Sequence, residues 1–312
     1  MPGVSYSPSS LRVLGPVAVA VSFSLAILAA RPEATPDRAQ TPRPGDRAMY
    51  VSALNGQGAP VTDLRPEEFV VREDGIRREV LTATKATDPV TLALLIDNSA
   101  AASPYIADIR TALKAFVTRM AGRNPIALTT FGERPSVLVD YSLTGAALER
   151  GIARVFSLPG SGAYFLEAVD DACKALKKRD FDRAVVLAIS TGGPEFSERH
   201  YTELLTPLRE SGANFTVMVF TGGRDFDLRN DGVRERALLM DQGPRATGGR
   251  RVDLLTSMAL DDALTKLADE LANQYRITYV RPEALIPPEK VEVSVSRSGV
   301  VARGTPVKPK RG

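Results

Sequence analysis

Two short stretches carry the residues best placed to do chemistry. "LALLIDNSAAAS", Leu92 to Ser103, is an apolar run that ends on Asp97, Asn98 and Ser99. "RAVVLAISTGG" is a second apolar run, ending on Thr191, Gly192 and Gly193. A carboxylate and two hydroxyls delivered by buried strands could ligate a divalent cation, which is bound through hard oxygen donors. The three alanines after Ser99 offer no such oxygen.

Other chemistry lacks a complete set of groups. His200 is the only histidine, and no G-x-S-x-G elbow supplies a serine for it to activate. It is expected as a solvated residue in the helix after "STGG". Cys173, the only cysteine, shares a helical face with Val169, Ala172 and Leu176 and is expected as a buried thiol rather than a nucleophile. "GSGAYF" lacks the Lys-Ser/Thr of a phosphate loop. "DFDLRNDG", Asp225 to Gly232, lacks the alternating acids and closing Glu of a calcium loop and is expected as a polar excursion. A formal charge of +3 gives no global argument for nucleic acid, and the basic tail "KPKRG" is expected as a solvated end.

The elements that would position these groups can be read in order. Val13 to Ala30 is apolar and uncharged, preceded by Arg12 and followed by a Pro- and Arg-rich linker over 31–46. That is the order of a secretory signal, with a retained membrane anchor as the alternative. Residues 47–88 read as short strands with a hairpin at Asp74-Gly75. From 89 to 274 apolar strands alternate with amphipathic helices, including one through Arg234 to Asp241. This predicts an α/β fold with a doubly wound, mostly parallel sheet flanked by helices. Its ligands would bind beyond the carboxyl ends of the strands. Residues 275–304 return to period two. They are expected to pair with the strands before Val90 in one small β-domain, because neither set can build a core alone. The remainder, 305–312, is read as tail.

The order of segments from Val90 to Gln274 resembles a von Willebrand factor A domain, whose fold is Rossmann-like. The stretches that carry the resemblance are "VTLALLIDNS", "GSGAYFLEAVDDA", "RAVVLAISTGG", "ATGGRRVDL" and "LANQYRITYVRP". With "GAPVTDLRPEEFVVREDGIRREV" and "VEVSVSRSGVVARG", the chain is similar to a von Willebrand factor A-related group of exported acidobacterial proteins. The resemblance implies a metal-ion-dependent adhesion site: D-x-S-x-S in the first loop, Thr in the second and Asp in the third. Asp97 and Ser99 match. The other three positions fall on Ala101, Ala163 and Thr191, and neither Ser103 nor Ser161 is in register to replace them. Mg²⁺ demands near-octahedral oxygen ligation. The site is therefore expected to be vestigial, with no resident cofactor, Mg²⁺ being the one ion the scaffold suggests. Asp97, Ser99, Ala101, Ala163 and Thr191 would mark a partner-binding face. The expectation is an exported, non-enzymatic protein-interaction module. It would be secreted or periplasmic, with an unknown protein partner, no nucleic acid, and membrane contact only through an uncleaved N-terminus. A hydrolase using the same cleft, or a structural envelope protein, are the alternatives.

Overall fold

The computed structural model describes residues 3, 45–179, 181–221, 230–282, 286 and 288–308. The Val13–Ala30 stretch and residues 225–229 of the acidic loop lie outside them. Among the described residues, no helix is long and apolar enough to cross a membrane.

Six strands form the central sheet: β5 (Thr91–Ile96), β6 (Ile126–Thr130), β7 (Ser136–Ser142), β8 (Ala184–Ser190), β9 (Ala213–Phe220) and β10 (Arg251–Leu254). Their spatial order is β10-β9-β8-β5-β6-β7, with every pairing parallel except β6–β7. The chain starts in the middle, winds outward to β7, then crosses to β8 and winds the other way. The sheet is thus doubly wound, and its switch point lies between β5 and β8. Strands β5, β8 and β9 are buried along their whole length, which is why they read as continuous apolar runs.

Period-two alternation divides β5 between two cores. Leu92, Leu94 and Ile96 pack with α1 (Ile106–Met120), α2 (Gly145–Ala153) and α6 (Ala259–Ala272). Ala93 and Leu95 face α3 (Phe165–Arg179), α4 (Tyr201–Ser211) and α5 (Asp231–Thr247). Helix α5 extends beyond the expected Arg234–Asp241. Asn230 caps its start by accepting from Val233 N at 3.1 Å, and Gly248 ends it in the left-handed conformation.

The strands before Val90 and after Gln274 do pair. In one sheet the order is β13 (Val300–Pro306), β1 (Arg47–Asn55), β11 (Tyr275–Tyr279) and β4 (Val80–Lys85). In the other, β12 (Val291–Val295) joins β2 (Phe69–Glu73) and β3 (Ile76–Arg78). Met49, Val51, Phe69, Val71, Tyr275, Ile277 and Tyr279 fill the space between the two sheets. Asp74 and Gly75, at φ 48° and 83°, make the tight turn read from the sequence. Strand β13 runs to Pro306, two residues past the expected end of the β-domain at 304. The Thr305 hydroxyl donates to Thr247 O at 2.8 Å and so fastens this end to the end of α5.

Candidate functional site

The carboxyl ends of β5 and β8 meet at the switch point, and three loops converge there. The first, after Ile96, runs through Asp97 into a short 3₁₀ segment, Ala100–Tyr105. The second, before α3, contains Ser161 to Tyr164. The third, after Ser190, contains Thr191 to Glu195. Ala100 N donates to Ser161 O at 3.4 Å, joining the first loop to the second. Ala163 N donates to Pro194 O at 2.9 Å and Phe196 N to Ala163 O at 2.8 Å, joining the second to the third. The five residues singled out in the sequence therefore belong to one contiguous site.

Asp97 is fully buried, and both its oxygens are already occupied. Oδ1 accepts from Ser99 N at 2.9 Å. Oδ2 accepts from Thr191 N and from the Thr191 hydroxyl, each at 2.9 Å. A carboxylate at position 191 would set two like charges together and call for a cation between them. Threonine supplies a proton instead, so the buried charge is satisfied within the protein. Ala101 is buried against Gly193, where an added Cβ would lie 2.6 Å from the Ala101 methyl. Ala163 is fully buried within the core under α3. The Ser99 hydroxyl is buried without a hydrogen-bond partner. The Ser190 hydroxyl at the end of β8 is buried without a partner too, but two hydroxyls beside one carboxylate with both atoms engaged do not match the ligand set of Mg²⁺. Among the described residues, no group of three His, Cys, Asp or Glu side chains converges to hold a metal.

Asn98, unassigned in the sequence, braces the outer wall. Its Oδ1 accepts from Gly132 N at 2.7 Å and its Nδ2 donates to Phe156 O at 3.1 Å. Beyond it lies a cleft of about 560 Å³ lined by Asn98, Thr130, Arg134, Ser161, Tyr164 and Phe196 among others. Phe156 and Phe196 are more than half and about half exposed, and Arg110 lies over the Phe156 ring at 5.2 Å. Leu255 and Met258, after β10, are more exposed still.

Beneath the third loop sits a buried pair with no counterpart in the sequence reading. Arg236 and Glu195 are both fully buried, with Nη1 and Oε2 3.1 Å apart. Arg236 Nη2 also donates to Gly193 O at 2.7 Å. Glu195 Oε1 accepts from Phe165 N at 2.9 Å, the first residue of α3, and from the Ser197 hydroxyl at 2.5 Å. Burial pushes the Glu195 carboxyl up to about 7, against the opposing pull of Arg236 and these donors. The pair thus ties the third loop to α3 and α5. One signal was legible: Val233, Arg236, Met240 and Gly243 fall at helical spacing, which puts an arginine on the buried stripe of α5.

His200 is not inside a helix, as the sequence suggested, but caps α4 with extended backbone at φ −92° and ψ 143°. The segment before it is held extended because Glu195 bridges to Ala163 and its carboxylate bonds Phe165 N. The imidazole is mostly exposed, with Nδ1 3.6 Å from Glu235 Oε2. Cys173 is buried, and desolvation raises its thiol to about 12, so it is not poised as a thiolate.

No protein-family model matches the chain. No curated protein matches it either. Several solved structures are similar over part of the chain. A von Willebrand factor type A protein from Catenulispora acidiphila is 12% identical with a TM-score of 0.46, over 85% of this chain and 66% of that one. An aerotolerance-related membrane protein from Bacteroides fragilis is 13% identical with a TM-score of 0.42, over 58% of this chain and 99% of that one. The human COPII-coat protein Sec24c is 11% identical with a TM-score of 0.44, over 72% of this chain. The chain spans 44% of that coat protein's length. The α/β fold rests on the strand order and pairing described above, not on these likenesses.

Proposed function

We propose that the chain is an exported, non-enzymatic protein-interaction module whose carboxyl-end face works without a metal. One observation carries this reading: the Asp97 carboxylate is satisfied by Ser99 and Thr191, so the loops close on themselves where a cation would sit. Exposed Phe156, Phe196, Leu255 and Met258 on loops at this end give a protein partner apolar surface to bury. Export rests on the Val13–Ala30 stretch, and kinship with the exported acidobacterial group rests on the sequence resemblance. The hydrolase alternative has less support. Among the described residues, His200 makes no hydrogen bond to a Ser, Thr or Cys side chain, and the Ser197 hydroxyl is spent on Glu195.

Two measurements test the proposal. Millimolar Mg²⁺ or Mn²⁺ should leave the melting temperature unchanged relative to EDTA. An ion at ten times its Kd would stabilise the fold by about 1.4 kcal/mol and raise the melting temperature by roughly 3 °C. Capture of an envelope protein by the purified chain should persist in EDTA and disappear in Phe156→Asp/Phe196→Asp. Metal-dependent capture, or capture indifferent to that double substitution, would remove the proposal.

A further inference from the structure

A second surface lies on the opposite side of the molecule's chemistry, where the small β-sheets meet α4 and α5. A groove of about 1410 Å³ opens there, above the range of about 300–1,000 Å³ usual for small-molecule pockets. Eight Lys or Arg residues line it against four Glu. Several of the cations are paired with carboxylates, such as Lys177 with Glu210 and Arg303 with Glu270. Among the described residues, the Arg47 guanidinium donates to the backbone oxygens of Gly45 and Asp46 alone. The groove therefore carries an excess of positive charge that its own carboxylates do not cancel.

One wall of this groove is the edge of a sheet. Strand β12 pairs with β2 on one side; among the described residues no strand is hydrogen-bonded to its other edge, although β13 packs nearby, with Gly304 against the Val293 side chain. The register fixes which groups are left over. Asp74 N donates to Lys290 O, and Ser296 N donates to Glu68 O, so the even-numbered residues of this strand exchange hydrogen bonds with β2. The backbone N–H and C=O groups of Val291, Val293 and Val295 therefore point to the free edge. Val291 and Val293 line the groove itself. An unpaired edge of this kind is a template for an added strand.

We propose that this groove binds an extended acidic segment of a partner protein, added as a strand to the free edge of β12. The free backbone groups supply the hydrogen bonds. Arg47, Arg209 and their neighbours select negative charge. Strand addition also explains why the occupant should be a peptide rather than another polyanion, since neither a nucleic acid nor a lipid headgroup can continue a backbone ladder. This surface is separate from the carboxyl-end face, so its test stands apart from the function proposed above.

The test is a titration of the full-length chain into a fluorescein-labelled octapeptide of alternating Glu and Val, followed by anisotropy. Saturable binding that weakens with added salt is expected, with no binding of the Lys-Val counterpart. N-methylation of one alternate set of peptide amides should weaken binding about tenfold, through loss of edge hydrogen bonds. The charge reversal Arg47→Glu/Arg209→Glu should weaken it too. Val293→Pro removes an N–H from the free edge while sparing the ladder with β2, and should act like N-methylation. If that variant misfolds, the methylated peptides still decide. Failure of the Glu-Val peptide to bind, or binding indifferent to N-methylation in both alternate sets, would overturn the proposal. So would tighter binding of oligothymidylate or phosphatidylglycerol vesicles.

Discussion

Substituting Glu195→Gln should change how stability depends on pH, and the direction follows from burial. The Glu195 carboxyl sits at about 7 in the folded protein, against an ordinary value of 4.5. Between those two values the folded state binds more protons than the unfolded state. Stability contributed by this group is therefore fully present below about pH 4.5 and falls as pH rises to about 7, where the loss levels off. Each pH unit in that window is worth about 1.4 kcal/mol, so the whole effect is about 3 kcal/mol. Glutamine has no such proton to lose. Urea unfolding of both proteins at pH 5, 6, 7 and 8 should show the wild type losing stability relative to the variant as pH rises. The variant starts with its own handicap, because Arg236 remains buried beside a neutral amide. The slope with pH, not that offset, reports the Glu195 proton. A stability difference constant with pH, or one that widens in favour of the wild type above pH 6, would mean that Arg236 and the Phe165 and Ser197 donors keep Glu195 ionised throughout.

Other outcomes follow from single contacts. Thr191→Val removes the hydroxyl donor to the buried Asp97 and should cost about 1–3 kcal/mol in chemical unfolding; a loss below about 0.5 kcal/mol would refute the role given to that hydrogen bond. Gly193→Ala combines a positive φ of 79° with a methyl 2.6 Å from that of Ala101, and should destabilise by about 1–3 kcal/mol. Unchanged stability there would show that the first and third loops are looser than described. Deleting residues 290–303 removes one of the two partners of β2, leaving β3, and should lower amide protection at Val70 and Arg72, which face β12, in hydrogen exchange. Retained protection would contradict the pairing.

The sequence by itself determined the layout of the sheet and the chemistry that the site lacks. Continuous apolar runs at Leu92–Ile96 and Ala184–Ser190 can only be strands buried on both faces, and the helices between them require parallel crossovers. The hairpin at Asp74-Gly75 was legible because few residue pairs accept two successive positive φ angles. The alanines at 101 and 163 were equally plain, since a methyl group cannot ligate a cation whatever the fold does. Tertiary structure decided the rest. Asp97 and Thr191 lie 94 positions apart, and only the parallel pairing of β5 with β8 brings the hydroxyl to the carboxylate. Glu195 and Arg236 lie 41 positions apart; helical spacing marks the arginine as inward-facing, but only the packing of α5 under the third loop supplies its partner. The terminal strands could be expected to meet, but the division into two sheets was not encoded in their period-two pattern. That pattern specifies which face of a strand is apolar and says nothing of which edge stays unpaired. The free edge of β12 is a consequence of where the chain closes on itself.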